Sequence, residues 1–154
     1  MRIYTAPFTE DELVSDAYPL TQDPEHGAIR FEGRYMEVED GDDESTQKVT
    51  VIDIVYNTNL QKNEIKKAAF GAWAKSFMPR RRAQLQEQDP DKVPVFMDEA
   101  KKFVGWVLAT FDEWDFYMGQ SCDPDDMMIF CKHNEAGDIP YFYLIPSAVN
   151  SEKC

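Results

Sequence analysis

Phe96-Met-Asp-Glu-Ala-Lys-Lys-Phe-Val-Gly-Trp-Val-Leu-Ala-Thr-Phe111 is the stretch that decides the layout of the chain. Phe96, Ala100, Phe103, Val104, Val107, Leu108 and Phe111 recur at spacings of three and four, which draws one apolar stripe along a helix. Upstream, Ile65, Ala69, Ala72, Trp73 and Phe77 repeat that period. Asp89-Pro-Asp-Lys-Val-Pro94 lies between the two and carries turn chemistry, so residues 64–111 or so read as a helical hairpin. Pro79 falls inside the first arm. Its ring clashes with the carbonyl four residues back, at a cost of about 3 kcal/mol in a helix interior, which predicts a kink between Lys75 and Pro79 or two short helices.

On both sides of the hairpin the period changes. Ile29-Arg-Phe-Glu-Gly-Arg-Tyr35 alternates apolar and polar residues as a half-buried strand does. Val49-Thr-Val-Ile-Asp-Ile-Val-Tyr56 is β-branched and short enough for a core strand. Between them, residues 37–48 are acidic and polar. They bury too little apolar area to offset their ordering entropy, which predicts a mobile loop. After the hairpin, strands are expected at Trp114–Met118, Met127–Lys132 and Tyr141–Ile145, separated by the turn-forming Cys122-Asp-Pro-Asp-Asp126 and Glu135-Ala-Gly-Asp138. Strands, a helical hairpin and strands again make one α+β domain over residues 1–154.

The formal charge of −13 repels phosphate backbones, so nucleic acid is not an expected partner. No run of apolar residues approaches the roughly 18 that a membrane span needs, and the N-terminus has no signal-peptide pattern. Three cysteines without CxxC spacing give neither a disulfide scaffold nor a structural zinc site. A cytoplasmic protein is expected, with release without a signal peptide left open. Cys154, at the end of the chain, is a candidate for an intermolecular disulfide in an oxidising setting.

Charge is unevenly spread. Carboxylates crowd residues 1–48 against only Arg2, Arg30, Arg34 and Lys48, whereas the first arm of the hairpin carries Lys62, Lys66, Lys67, Lys75, Arg80, Arg81 and Arg82. A basic helix on an acidic protein reads either as a docking surface or as a solvated face. Asp123, Asp125 and Asp126, with Asp115 upstream, offer the hard oxygen ligands that suit Ca²⁺, though not in the EF-hand pattern. The competing reading is a turn that uses aspartate to bond its own backbone. A catalytic thiol needs an adjacent base. His133 follows Cys131 by two residues and is the one pairing available, while Cys122 sits beside Asp123, which disfavours a thiolate.

Several motifs in order resemble those of the translationally controlled tumour protein family. They are Ile3-Tyr4, Asp11-Glu12 with Ser15-Asp16, Glu32-Gly33, Asp53-Ile-Val with Asn57 and Leu60-Gln61, Leu85-x-Glu87-Gln88-x-Pro90 with Val93 and Phe96-Met97, Phe111-x-x-Trp114-x-Phe116-Tyr117-x-Gly119, Pro124-Asp125-x-Met127, and Gly137-x-x-Pro140-Tyr141. The resemblance implies tent-like β-sheets carrying an inserted helical hairpin, a fold shared with a class of small-GTPase chaperones and one class of methionine sulfoxide reductases. It implies a growth-related, non-enzymatic binding protein. The expected partners are tubulin or microtubules, a Rheb-type small GTPase and translation elongation factors; the ligand is weak calcium, with no cofactor required. The partner-binding residues carried over are Glu12 and position 120 on the GTPase face, and Lys66, Lys67, Lys75, Arg80, Arg81 and Arg82 on the basic helix. Position 120, acidic in the family, is Gln120 here, which weakens attraction to a basic GTPase patch. The carboxylates Asp115, Asp123, Asp125 and Asp126 are the expected calcium ligands, Asp126 standing where a glycine is common.

Overall fold

A computed structural model describes residues 1–41 and 47–153. Its centre is the expected hairpin: α2 (Lys67–Gln88) and α3 (Lys92–Ala109), joined at Asp89–Asp91. The predicted stripe buries Phe96, Ala100, Phe103 and Val107 of α3. It meets Phe70, Trp73, Ala74, Phe77, Arg81 and Leu85 of α2.

Beneath the hairpin lies a six-stranded antiparallel sheet in the order β3 (Leu20–Asp23), β4 (Ala28–Glu32), β10 (Pro140–Leu144), β9 (Ile129–His133), β8 (Trp114–Met118), β7 (Gln61–Lys62). In register, Phe116 lies opposite Phe130 and Phe130 opposite Tyr143, so these rings share the face under the helices. Phe103 meets Phe130 at 5.0 Å and Phe70 meets Phe116 at 5.6 Å. The opposite face carries Cys131, Phe142 and Phe31. It is met by a three-stranded sheet, β11 (Asn150–Lys153), β1 (Arg2–Thr5), β2 (Glu12–Ser15), whose Tyr4 touches Phe31 edge-on at 5.4 Å. Ile129, Phe130 and Cys131 are consecutive and all fully buried, as a strand covered on both faces requires.

Several expectations are corrected. The strand over residues 29–35 breaks after Glu32, and Tyr35 opens a new strand. Glu37–Asp40 and Gln47–Lys48 are not loop. They belong to a two-stranded hairpin, β5 (Tyr35–Asp40) with β6 (Gln47–Ile52), in which Val38 pairs with Val49 and Glu39 with Lys48. Residues 42–46 of the predicted loop lie outside the described residues. The strand expected through Tyr56 stops at Ile52, and Asp53–Thr58 form a helix, α1. The Asp53 carboxylate Oδ1 accepts from the Ile54 N–H at 2.7 Å and the Arg34 N–H at 3.0 Å, which satisfies orphan donors where the chain turns. Asn59, at φ 55°, closes α1 in the left-handed conformation that asparagine tolerates.

The kink expected at Pro79 is also absent: α2 is continuous from Lys67 to Gln88. Pro79 and Lys75, whose carbonyl loses its helical donor to the proline, are both exposed, while Trp73, Phe77, Arg81 and Leu85 anchor the helix on both sides. At the far end, Gly27 ends a 3-10 turn (Pro24–His26) at φ 65°. A Cβ there would stand 2.4 Å from the Glu99 carbonyl oxygen, so only glycine lets this turn seat on α3.

Candidate functional site

The three consecutive arginines of α2 point 100° apart and meet three different fates. Arg80 spreads its guanidinium over the Phe8 ring at 4.1 Å and donates to the Asp125 carbonyl at 2.9 Å. Arg81 is 1% exposed, which removes it from any docking surface and corrects the expectation that it binds a partner. Its Nε donates to the Ser147 carbonyl at 3.1 Å, Nη1 to Gln84 Oε1 at 2.6 Å, and Nη2 to the Val149 carbonyl at 3.3 Å and Asn150 Oδ1 at 3.2 Å. Burial lowers its pKa from the ordinary guanidinium value, and the carboxylate of Asp126 works against that shift. Arg82 is exposed. Lys66, just outside α2, and Lys67 and Lys75 within it are exposed too. At 100° per residue Lys67, Lys75 and Arg82 fall within about 80° of one another on the helix surface.

Glu12 is exposed on β2, and Gln120 is exposed in the turn after β8. The residues beside them are stitched together: Asp11 Oδ1 accepts from the Ser121 hydroxyl at 2.7 Å and Oδ2 from the Ser121 N–H at 2.9 Å. Gly119 makes room for this clamp, since a Cβ there would lie 2.4 Å from Asp11 Cβ. Gln120 also reaches the Thr58 carbonyl, at 3.5 Å, through Nε2. The structure thus brings the Glu12 and Gln120 segments together, through Asp11 and Ser121, which spacing alone did not single out.

The four expected calcium carboxylates are not assembled. Asp126 is buried and committed to the backbone: Oδ2 accepts from the Thr9 N–H and Oδ1 from the Met127 N–H, each at 2.7 Å. Asp123 Oδ1 accepts from the Asp125 N–H at 2.9 Å, and Asp115 faces Lys62 Nζ at 3.7 Å. This is the turn reading, aspartates bonding their own loop. Among the described residues, the group that brings three ligand atoms within 4.8 Å is Asp23, Glu25 and His26 instead. There the His26 ring is already engaged, with Nδ1 2.9 Å from Asp23 Oδ2 and its face 3.7 Å from Trp106.

The Cys131–His133 pairing fares no better. Cys131 is fully buried, and burial first, then Asp115, pushes its thiol well above the ordinary range. His133 turns instead to the Tyr35 hydroxyl, which lies 2.5 Å from its Nε2. Cys122 is exposed at φ 54°, and Cys154 lies outside the described residues.

Helical hairpin, six-stranded sheet and covering three-stranded sheet define an α+β architecture that solved structures share. A translationally controlled tumour-associated protein from Schizosaccharomyces pombe superposes with a TM-score of 0.87 at 31% identity, all of both chains being covered. The solution structure of the Caenorhabditis elegans protein, at 24% identity and TM-score 0.69, shares the fold over 100% of this chain and 99% of that one. The family model described as translationally controlled tumour protein matches residues 1–150. The homologue from Candida glabrata is 30% identical over 166 residues and that from Schizosaccharomyces pombe 32% over 167, each comparison covering 99% of both chains. The chain belongs to the translationally controlled tumour protein family. Among the described residues, no helix is long and apolar enough to cross a membrane.

Proposed function

We propose that the protein is a non-enzymatic cytoplasmic binding module whose working surface is the outer face of α2, directed at acidic protein partners such as tubulin tails. The observation that carries this reading is the placement of Lys67, Lys75 and Arg82. All three are exposed on one side of a helix in a chain of net charge −13, with no ion pair to another described residue. Cations left unpaired on an acidic molecule are available to an acidic partner, and clustered ones attract it over about a Debye length. Arg80 lends its charge from the edge, and Lys66 extends the cluster beyond the helix start.

The Glu12–Gln120 face is the second contact of this reading, directed at a Rheb-type small GTPase or a translation elongation factor. Gln120 supplies one carboxylate fewer than the family pattern, so this contact is the weaker of the two. No cofactor enters the reading. Calcium is not part of it either, since Asp115, Asp123 and Asp126 are engaged with Lys62 and with backbone amides.

Co-sedimentation with microtubules tests it. Changing Lys67, Lys75 and Arg82 together to Glu is expected to weaken binding about tenfold or more, while Glu12→Ala leaves it unchanged. Retained binding in the triple variant refutes the α2 reading. In pull-downs with a small GTPase, Gln120→Glu is expected to strengthen capture and Glu12→Ala to abolish it.

A further inference from the structure

Asp23-Pro24-Glu25-His26 differs from the aspartate turn at 123–126 in setting a nitrogen ligand beside two carboxylates. One ligand atom from each of Asp23, Glu25 and His26 lies within 4.8 Å of the other two. Among the described residues, no other three His, Cys, Asp or Glu side chains come so close together. The backbone here is tightly constrained. Pro24 fixes the first backbone angle of the 3-10 turn, and Gly27 closes it at φ 65° against the Glu99 carbonyl. The His26 ring lies 14° from parallel to Trp106 of α3, with 3.7 Å between ring centres, so packing sets its plane before any ligand arrives.

The ligand spacing chooses the occupant. His26 Nδ1 stands 3.1 Å from Asp23 Oδ1 and 2.9 Å from Oδ2. Two donors each about 2.1 Å from a zinc ion, and roughly 90–109° apart around it, lie about 3.0–3.4 Å from one another. The two side chains are thus already at the separation of neighbouring ligands on one ion. A metal ion there replaces the hydrogen that Nδ1 and Asp23 share, and the neutral imidazole then carries its hydrogen on Nε2. Glu25 is exposed and can swing its carboxylate in without disturbing packing. One imidazole with two carboxylates suits a divalent transition ion, whereas Ca²⁺ asks for six to eight oxygens and gains nothing from the nitrogen. Two carboxylates also balance the charge of a divalent ion, on a chain whose −13 already attracts cations. We propose that Asp23, Glu25 and His26 form a binding site for a divalent transition-metal ion of the zinc type. The site shares no residue with α2 or with the Glu12–Gln120 face, and it stands or falls independently of the reading above.

The test titrates the full-length chain with Zn²⁺ by calorimetry at neutral pH, with Ca²⁺ as the comparison. Zn²⁺ is expected to bind, His26→Gln to weaken it at least tenfold and Glu25→Gln about tenfold. Glu25 is exposed, so its variant keeps the fold, and circular dichroism checks the His26 variant. Thiols are the rival zinc ligands, and Cys122 is exposed, so Cys122→Ser with Cys154→Ser is expected to leave the affinity unchanged. Zn²⁺ added to the unaltered protein is expected to shift the amide signals of Glu25, His26 and Gly27 and the indole N–H of Trp106, a readout that needs no variant. The same concentration of Ca²⁺ is expected to leave those signals in place. No zinc bound below about 1 mM, an affinity that survives His26→Gln, one that disappears with the thiols, or shifts confined to other turns overturns the proposal.

Discussion

Arg81→Ala is expected to destabilise the fold by about 3 kcal/mol, although arginine is a residue that usually lives at the surface. The side chain makes four hydrogen bonds, and two of its acceptors are the carbonyls of Ser147 and Val149, residues only 7% and 5% exposed. Truncation leaves those oxygens without a donor, at about 1–3 kcal/mol for each buried group. It also opens a cavity beside Phe77 and Leu85 on α2 and removes a cation that interacts with the buried Asp126. Against this, the variant no longer has to desolvate a guanidinium, which returns several kcal/mol. The balance of about 3 kcal/mol corresponds to a fall in Tm of roughly 6–12 °C for a chain of this size. Urea unfolding followed by circular dichroism gives the free energy directly. Arg82→Ala, one residue on and exposed, is the matched control and is expected to stay within about 0.5 kcal/mol. Arg81→Met keeps most of the volume, so the difference between Met and Ala separates the cavity from the lost hydrogen bonds. An Arg81→Ala protein within 1 kcal/mol or so of the original would refute the view that this cation ties α2 to the C-terminal segment.

Pro79→Ala is expected to stabilise the protein by about 1–3 kcal/mol, because α2 already runs straight through an exposed proline and alanine restores the missing hydrogen bond; a lower urea midpoint would contradict this. Cys131 holds its proton to higher pH in the folded than in the unfolded chain, whose thiol titrates near 9. The unfolded state therefore binds fewer protons above that pH, and stability is expected to fall as pH rises, by up to about 1.4 kcal/mol per unit from this group. Cys131→Ala should flatten the decline between roughly pH 9 and 10, before the buried Tyr117 and Tyr143 join it. Asp126→Ala is expected to cost about 1–3 kcal/mol, through the loss of its bonds to the Thr9 and Met127 amides, while leaving any calcium affinity measured by calorimetry unchanged.

Legibility in the sequence followed how far each residue's surroundings depend on its near neighbours. The helical hairpin was readable because its stripe repeats locally, and β8, β9 and β10 fell within two residues of expectation because aromatic runs bounded by Asp and Gly turns leave few alternatives. The β5–β6 hairpin was missed because Glu37, Glu39 and Asp40 read as an acidic run, although Met36 and Val38 alternate with them. The pairing that makes it a strand comes from Val49 and Val51, ten and more residues away. Helix α1 was missed because Ile54 and Val55 suit a strand equally well, and a carboxylate cap cannot be seen without knowing that Arg34 passes beside Asp53. Arg81 could have been caught. It lies four residues after Phe77 and four before Leu85, in phase with the buried stripe, and only its residue type argued for the surface.

That distinction between charges the fold consumes and charges it leaves free matters more than the net value of −13. Arg81 and Asp126 are spent inside, Arg80 on Phe8 and the Asp125 carbonyl, Asp11 on Ser121, Lys132 on Glu113 and Lys102 on Asp98. Among the charges that remain exposed, Lys67, Lys75 and Arg82 gather on one side of α2. That gathering of cations is not predicted by the overall charge. The contact proposed for α2 should weaken with salt, since its charges are solvent-exposed. Raising ionic strength should therefore release an acidic partner from α2 in the co-sedimentation assay.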